Sequence, residues 1–540
     1  MNPSPILVRL LAPLILALLA ACADTARLPQ SQAKFESIGQ GSAVPAVAAR
    51  AMASPAAVMG GIHQAQPESR ERYGEIGDNP VKLVAETPVS TFSIDVDTGS
   101  YANVRRMLNA GQLPPADAVR VEELINYFPY DYARPTDRRP FAVHAELAPA
   151  PWNRDRVLLR IGIKGQDLAK ASLPPANLVF LVDVSGSMNS PDKLPLLRSS
   201  LKLLVNELRE QDRITLVTYA SGTQVVLPPT SGREKATINA AIDALRAGGS
   251  TAGASGLQLA YAAAQQSFVK DGINRILLAT DGDFNVGVSD VRQLKSLVEE
   301  KRKSGISLST LGFGTGNYNE QMMEQIADVG DGAYSYIDNL MEGHKVLVNE
   351  MTSTLATIAR DVKVQIEFNP AQVSEYRQIG YENRQLKRED FNNDQVDAGD
   401  IGAGHTVTAL YELTLAGAKG SIDPLRYGKK AKAGQELARE LGFLRLRYKA
   451  PEGGASQLIE IPLSKEAIKP LAGSDHEFRF AAAVAGYGQL LRGGRYTGTW
   501  NYADARQLAQ ENIGKDTWGY RGEFLRLIDL TQALSSKSGR

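Results

Sequence analysis

Asp183, Ser185 and Ser187 are the residues whose types and spacing first suggest chemistry. They stand at alternate positions where the apolar run Phe180-Leu181-Val182 passes straight into Asp-x-Ser-x-Ser. At a strand end, alternate positions let three oxygen-bearing side chains face one point. Oxygen-only ligation suits a hard divalent cation such as Mg2+, which takes about six oxygens at roughly 2.0–2.1 Å and keeps some of its waters. Mn2+ and Ca2+ accept the same donors.

Two further segments complete the pattern. One is Gly248-Gly249-Ser250-Thr251; the other, after a second apolar strand, is Thr280-Asp281-Gly282. A lone Asp-x-Ser-x-Ser is a weak signal. In this order the three pieces resemble the metal-ion-dependent adhesion site (MIDAS) of von Willebrand factor type A (VWA) domains. The resemblance implies that Ser185, Ser187 and Thr251 touch the metal through their hydroxyls, while Asp183 and Asp281 act largely through bound water. Neutral ligands leave most of the cation's charge unsatisfied, so an acidic residue of a partner protein could complete the shell. Ala252 departs from the asparagine that some relatives carry there, which removes a side chain that would support the ligands but no ligand itself. Asp283 is close enough in sequence to add charge and reads as a cap on its loop.

The elements that must position these residues follow from periodicity. Between about 175 and 357, strands at 178–182, 213–219, 223–227, 275–280, 306–313 and 332–337 alternate with helices. The helices fall near 194–208, 233–245, 252–268, 289–304, 319–328 and 340–357. Such alternation indicates a Rossmann-like α/β domain with a mostly parallel sheet, where ligands bind beyond the strands' carboxyl ends. Asp183 and Asp281 both sit there. Period-2 patterning appears on both sides of this region: Phe141, Val143, Ala145 and Leu147, then Leu159, Ile161 and Ile163, before it; Val362, Val364, Ile366 and Phe368 after it. The later runs 407–415, 444–448 and 459–463 alternate likewise; in the 362–368 run Lys363, Gln365 and Glu367 take the intervening positions, the solvent side of a half-buried strand. An antiparallel β-sandwich with the α/β domain inserted into it is the expectation. It requires strands 141–147 and 157–163 to pair with a segment beyond 360.

Residues 81–174 form an N-terminal region, with a strand over 89–97 and helices over 101–110 and 116–127. The sandwich spans 358–470, and a helical C-terminal region covers 471–540 with elements at 478–491, 503–512 and 524–533. The segments Thr91–Arg106 and Val119–Tyr132, with the flanking β and helical regions, are similar to bacterial VWA lipoproteins having a characteristic N-terminal segment and a C-terminal domain of unknown role. That resemblance runs from about residue 80 to the end.

Lys plus Arg and Asp plus Glu balance at 60 each across 540 residues, which argues against a nucleic-acid partner. The five histidines, at 63, 144, 344, 405 and 476, show no ligand spacing. A single cysteine rules out an internal disulfide framework. That cysteine, Cys22, ends a short apolar run with Leu19-Ala20-Ala21, so residues 1–21 read as a signal peptide. The tetrad resembles the bacterial lipobox, in which the cysteine is lipidated and anchors the chain to the membrane. Each buried CH2 of such an anchor contributes about 0.8 kcal/mol. Ala23 lacks the aspartate read as an inner-membrane retention signal, which points to the outer membrane facing the periplasm. Residues 22–80, rich in Ala, Gly, Ser, Pro and Gln, read as a flexible tether.

The expected protein is thus no enzyme but a lipid-anchored envelope protein that binds an acidic protein partner through a MIDAS cation. One alternative is a scaffold in which the metal is structural. Another is a metal-dependent phosphatase built on Asp95-x-Asp97, although Gly99 replaces the Thr or Val its motif needs. Asn392–Asp400 could hold Ca2+ but lacks the glutamate that ends an EF-hand loop, so it reads as an acidic turn. Trp152 and Trp500 read as core anchors.

Overall fold

Burial at every position of Ala176–Asp183 places that apolar run inside a sheet covered on both faces. The computed structural model describes residues 71–250, 253–282, 291–423 and 437–538. The chain begins with β1 (Lys82–Leu83), β2 (Val89–Ser93), α1 (Gly99–Asn109), α2 (Val121–Asn126), β3 (Phe141–Ala150) and β4 (Asn153–Gly165). An alternating unit follows: β5 (Ala176–Asp183), α3 (Leu194–Glu207), β6 (Arg213–Tyr219), β7 (Thr223–Ser231), α4 (Lys235–Ala244), α5 (Gly253–Gln266) and β8 (Ile273–Thr280). It continues through α6 (Val291–Arg302), β9 (Ser307–Phe313), α7 (Glu320–Val329), β10 (Tyr334–Ile337), α8 (Leu340–His344) and α9 (Met351–Leu355). Then come β11 (Thr357–Phe368), β12 (Val373–Ile379), β13 (Ile401–Gly402), β14 (Thr406–Leu415), β15 (Glu440–Ala450) and β16 (Gly453–Ser464). Three helices close the chain: α10 (His476–Leu491), α11 (Tyr502–Glu511) and α12 (Tyr520–Ser538).

The α/β sheet runs β10-β9-β8-β5-β6-β7 and is parallel except for the β6–β7 hairpin. Leu178, Phe180 and Val182 pack with Leu194, Leu197, Leu201 and Leu204 of α3 on one face. Val179 and Leu181 pack with Leu257, Ala260 and Ala264 of α5 on the other. Each buried Val, Leu or Phe among them stabilises the fold by roughly 1.5–3 kcal/mol relative to exposure. Alternation of period two inside one apolar run thus serves two cores. Parallel pairing keeps the carboxyl ends in line, with Asp183 opposite Tyr219 and Val182 opposite Ala279. The chain builds outward from β5 through β6 and returns to its other side at β8. That is the topological switch point, where α/β sheets open a crevice.

β4 pairs with β14, Leu159 opposite Tyr411 and Ile161 opposite Ala409, so the strand pairing that insertion requires is present. One sandwich sheet runs β1-β12-β14-β4-β3; in the other, β11 pairs with β2, β13 and β15, and β15 with β16. A Cβ added at Gly165 would lie 3.0 Å from Ile358 Cδ1, so the chain leaves the sandwich and re-enters it at neighbouring points. Phe92, Ile366, Phe368 and Leu446 meet Leu159, Ile161, Tyr376 and Tyr411 in the sandwich core. The opposite face of the β4 and β14 sheet carries Ala148, Leu158 and Leu410 against Leu124, Phe128, Phe480 and Phe524, so α1–α2 and the C-terminal helices share one core.

Several expectations change. Residues 116–127 hold a 3-10 turn at Ala116–Ala118 and only then α2, because Val119 and Arg120 are extended. The strand expected over 89–97 ends at Ser93, and Asp95 and Asp97 turn away to pair with Arg384. The helix expected over 340–357 is interrupted by a π turn at Lys345–Asn349, where buried Lys345 pairs with Glu350 at 2.7 Å. Lys363 and Gln365 are buried rather than solvent-facing. Lys363 Nζ donates to the carbonyls of Asp390 and Asn393, and Gln365 Nε2 to Thr91 Oγ1. Residues 71–80, the end of the stretch read as a tether, lie on the folded body: Arg72 bridges to Asn319, and Arg492 Nε donates to Asp78 Oδ1 at 2.8 Å. Cys22 and the rest of that stretch lie outside the described residues.

Candidate metal centre

β5 ends on Asp183 and β8 leads into Asp281, both with no solvent exposure. Asp183 Oδ1 accepts the Ser185 amide at 2.8 Å, which turns the chain sharply after the strand. Its Oδ2 accepts Thr280 Oγ1 at 2.8 Å and Tyr219 OH at 3.3 Å. No cation touches Asp183 among the described residues, and burial pushes its carboxyl up to about 6 against the hydrogen bonds from Ser185 and Thr280. The Ser185 and Ser187 hydroxyls lie 3.0 Å apart, Ser185 buried and Ser187 on the exposed rim.

The third loop is fastened to the first by its backbone. Gly248 N donates to the Val184 carbonyl at 2.8 Å, and Gly186 N to the Gly249 carbonyl at 3.0 Å. Gly249 has φ +85°, and a Cβ there would lie 2.4 Å from Ser221 Oγ, so a side chain would break this approach. Ser250 N donates to the same Ser221 oxygen at 3.0 Å. Thr251, like Ala252 and Asp283, lies outside the described residues. The structure therefore brings together Asp183, Ser185, Ser187 and Asp281 and carries the chain to Ser250 beside them.

Lys193, Asn317, Tyr219 and the hydroxyl of Thr280 belong to this site and were not singled out from sequence. Lys193 Nζ donates to Asp281 Oδ2 at 2.9 Å and to Asn317 Oδ1 at 3.1 Å. Lys193 is the N-cap of α3, where a cation opposes the helix dipole unless something holds it, but a lysine ahead of an apolar helix is no signal in sequence.

Among the described residues no group of three or more His, Cys, Asp or Glu is placed to hold a metal ion. The candidate donor set differs in kind, with two aspartates and serine hydroxyls. Hard cations take such donors, and a buried carboxylate with hydroxyl partners and no cation in contact fits one.

The other sequence features have structural employment. Asp95 and Asp97 both contact Arg384 Nη2, at 3.3 and 3.1 Å, and Asp97 Oδ1 accepts the Tyr334 amide, which joins the N-terminal region to the α/β unit. In the 392–400 turn, Asp394 pairs with Arg447 at 3.1 Å and Asp397 with Arg302. Trp152 and Trp500 meet edge to face at 5.9 Å, and Trp152 Nε1 donates to Glu412 at 3.2 Å.

A mostly parallel sheet between two helical layers, with this site at its switch point, defines a VWA-domain protein. The family model described as "von Willebrand factor type A domain" matches residues 177–350, "von Willebrand factor" matches 67–160, and "Uncharacterized protein YfbK, C-terminal" matches 353–534. YfbK of Escherichia coli K12 is 56% identical over 484 residues, covering 88% of this chain and 83% of that protein. The chain belongs to the YfbK family of VWA-domain proteins. Inter-alpha-trypsin inhibitor heavy chain H4 of Homo sapiens is 30% identical over 148 residues, 26% of this chain and 16% of that one. Among solved structures, a von Willebrand factor type A protein from Catenulispora acidiphila aligns at TM-score 0.43 and 16% identity, over 73% of this chain and 91% of that one.

Proposed function

We propose that this protein is a lipid-anchored envelope protein whose VWA domain captures an acidic residue of a protein partner through a divalent cation. The observation that supports this most is Asp183: a carboxylate with no solvent exposure, at the switch point, beside two hydroxyls and a second aspartate, with no basic side chain paired to it among the described residues. Ser185, Ser187 and Thr251 would hold the cation directly, and Asp183 and Asp281 would hold its waters. Mg2+ is the proposed ion; Mn2+ or Ca2+ would fit the same donors. The ion supplies a Lewis-acidic position open to a carboxylate; the chain's own groups fix its donors and keep the rim accessible at Ser187. Lipidated Cys22 would hold the protein at the outer membrane, facing the periplasm. No helix among the described residues is long and apolar enough to cross a membrane.

A structural role for the metal is the second reading, favoured by the depth of Asp183, since a cation there would relieve a buried charge. One experiment separates the readings: capture from envelope extract, with and without EDTA, by wild type, Ser185→Ala/Ser187→Ala and Cys22→Ser. Partner capture that EDTA and the serine pair abolish, with melting unchanged, supports adhesion; a fall in melting supports the structural role. Capture indifferent to EDTA overturns the metal-dependent reading, and Cys22→Ser protein still sedimenting with membranes overturns the anchor.

A further inference from the structure

The second aspartate of the site already has an ammonium against it. Lys193 is 6% exposed, and its Nζ reaches Asp281 Oδ2 and Asn317 Oδ1 at 2.9 and 3.1 Å. Its stem is enclosed as well. At Gly314, where φ is +76°, an added Cβ would lie 2.2 Å from Lys193 Cε, so the loop after β9 is moulded round the lysine side chain. The charge does nothing for its own helix, because a cation at the N-cap of α3 opposes the macrodipole.

We propose that Lys193 is a built-in counter-ion that keeps the site's affinity for a bare cation low and reserves tight binding for a cation together with an external carboxylate. This rests on the metal-dependent reading given above. Among the described side chains of the site, Asp183 and Asp281 carry two negative charges and Lys193 one positive. A dication raises that sum from minus one to plus one. Without the lysine the loaded site would be neutral. The ammonium therefore repels the incoming metal, and it leaves on these side chains a positive excess that favours an anion from outside. Metal and acidic ligand then strengthen each other by one and the same factor, as linkage demands. The partner's binding element on this account is a carboxylate, and a neutral hydroxyl or amide would gain nothing from the excess charge.

The test is Mn2+ titration of the full chain by calorimetry, alone and in saturating acetate, with Lys193→Gln, Lys193→Arg and Ser185→Ala/Ser187→Ala beside wild type. Gln keeps a hydrogen-bond donor for Asp281 while removing the charge. Lys193→Gln is expected to bind Mn2+ alone at least about tenfold more tightly, as loss of a unit charge close to a dication implies. The enhancement by acetate should shrink by a similar factor, and Lys193→Arg should behave as wild type. Should Lys193→Gln not fold without metal, the Mn2+ dependence of melting in Lys193→Met reads the same affinity ratio. Unchanged or weaker Mn2+ binding in Lys193→Gln, with binding still abolished by the serine pair, overturns the counter-ion and leaves Lys193 a structural ion pair. Absent Mn2+ binding both in wild type with saturating acetate and in Lys193→Gln, or Mn2+ binding that the serine pair leaves unchanged, overturns the metal site itself.

Discussion

Asp183 shows how much one buried carboxylate depends on its neighbours. Burial pushes its carboxyl from 3.8 up to about 6, so the folded state holds an extra proton between those values. Stability therefore falls as pH rises through that window, and above it the ionised group leans on its donors. Thr280, fully buried, supplies one of them and in turn accepts the Gly282 amide at 3.1 Å. In EDTA, Thr280→Val should cost about 1–3 kcal/mol of unfolding free energy near pH 8, and less near pH 5 where Asp183 is protonated. Urea titration at the two pH values measures this, and equal losses would show that the hydroxyl does not serve the carboxylate. Asp183, Ser185, Ser187 and Asp281 were legible because oxygen side chains at strand ends leave a pattern of types and spacing. Lys193 left no such trace. A lysine before an apolar helix is ordinary in sequence, and only its burial and the Gly314 turn reveal its place.

At the scale of elements, α7 is bound to the rest of the molecule through charge rather than through apolar contact alone. Arg120 Nη2 lies 3.0 Å from Glu324 Oε2 and 4.0 Å from Glu320 Oε2, and its Nε lies 3.4 Å from Glu123. Arg384 holds Asp328 at 2.7 Å together with Asp95, Asp97 and Glu324. Two guanidinium groups thus face more carboxylates than they can neutralise. Burial pushes Glu320 up to about 8 and Glu324 up to about 7, with Arg120 opposing in each case. Their folded-state values lie above the unfolded 4.5, so this cluster favours folding at low pH and loses that contribution as pH climbs towards 8. Neither Glu320 oxygen has a hydrogen-bond partner among the described residues. Glu320→Gln should accordingly raise the urea midpoint by the equivalent of about 1 kcal/mol or more near pH 8 and leave it almost unmoved near pH 5. A loss of stability at both would mean that the Arg120 pairing outweighs the cost of burial. Legibility at this scale followed apolar patterning. β5 declared itself as an unbroken hydrophobic run, whereas β12 was missed because Glu375, Arg377 and Gln378 are buried in it. Glu375 accepts the amides of Ser421 and Ile422, and Arg377 pairs with Glu412 at 2.8 Å, so polar side chains occupy positions that period-two reading reserves for apolar ones.

For the whole molecule, insertion of one domain into another raises the question of what makes them a single body. Backbone continuity contributes little, since exit and re-entry are adjacent and either part could in principle close by itself. Arg105 on α1 offers a stronger connection. It is 2% exposed and donates to Asp338 Oδ2 at 2.9 Å, just after β10, and to Glu342 Oε2 at 2.7 Å, on α8 of the α/β unit. It also donates to Tyr127 OH at 2.8 Å and to Glu523 Oε2 on α12 at 3.0 Å. One planar fork thus ties the N-terminal region, the inserted domain and the C-terminal helices, and lysine could not reproduce its geometry. Removing one member of a buried ionic cluster leaves the others desolvated and unpaired, at a cost of about 3–5 kcal/mol. Arg105→Ala should therefore do more than lower stability: it should uncouple the domains. Trp152 and Trp500 pack in the helical core, whereas Trp518 stands against His344 of α8, so in a Trp518→Phe background fluorescence reports the helical core, while hydrogen exchange of the β5 and β8 amides reports the insertion. Wild type should lose both signals in one urea transition, and Arg105→Ala should lose β5 and β8 protection first. A single coincident transition in the variant, at the wild-type midpoint, would show that the domains are joined elsewhere, with the Arg384 cluster between residues 95–97 and α7 the next connection to cut.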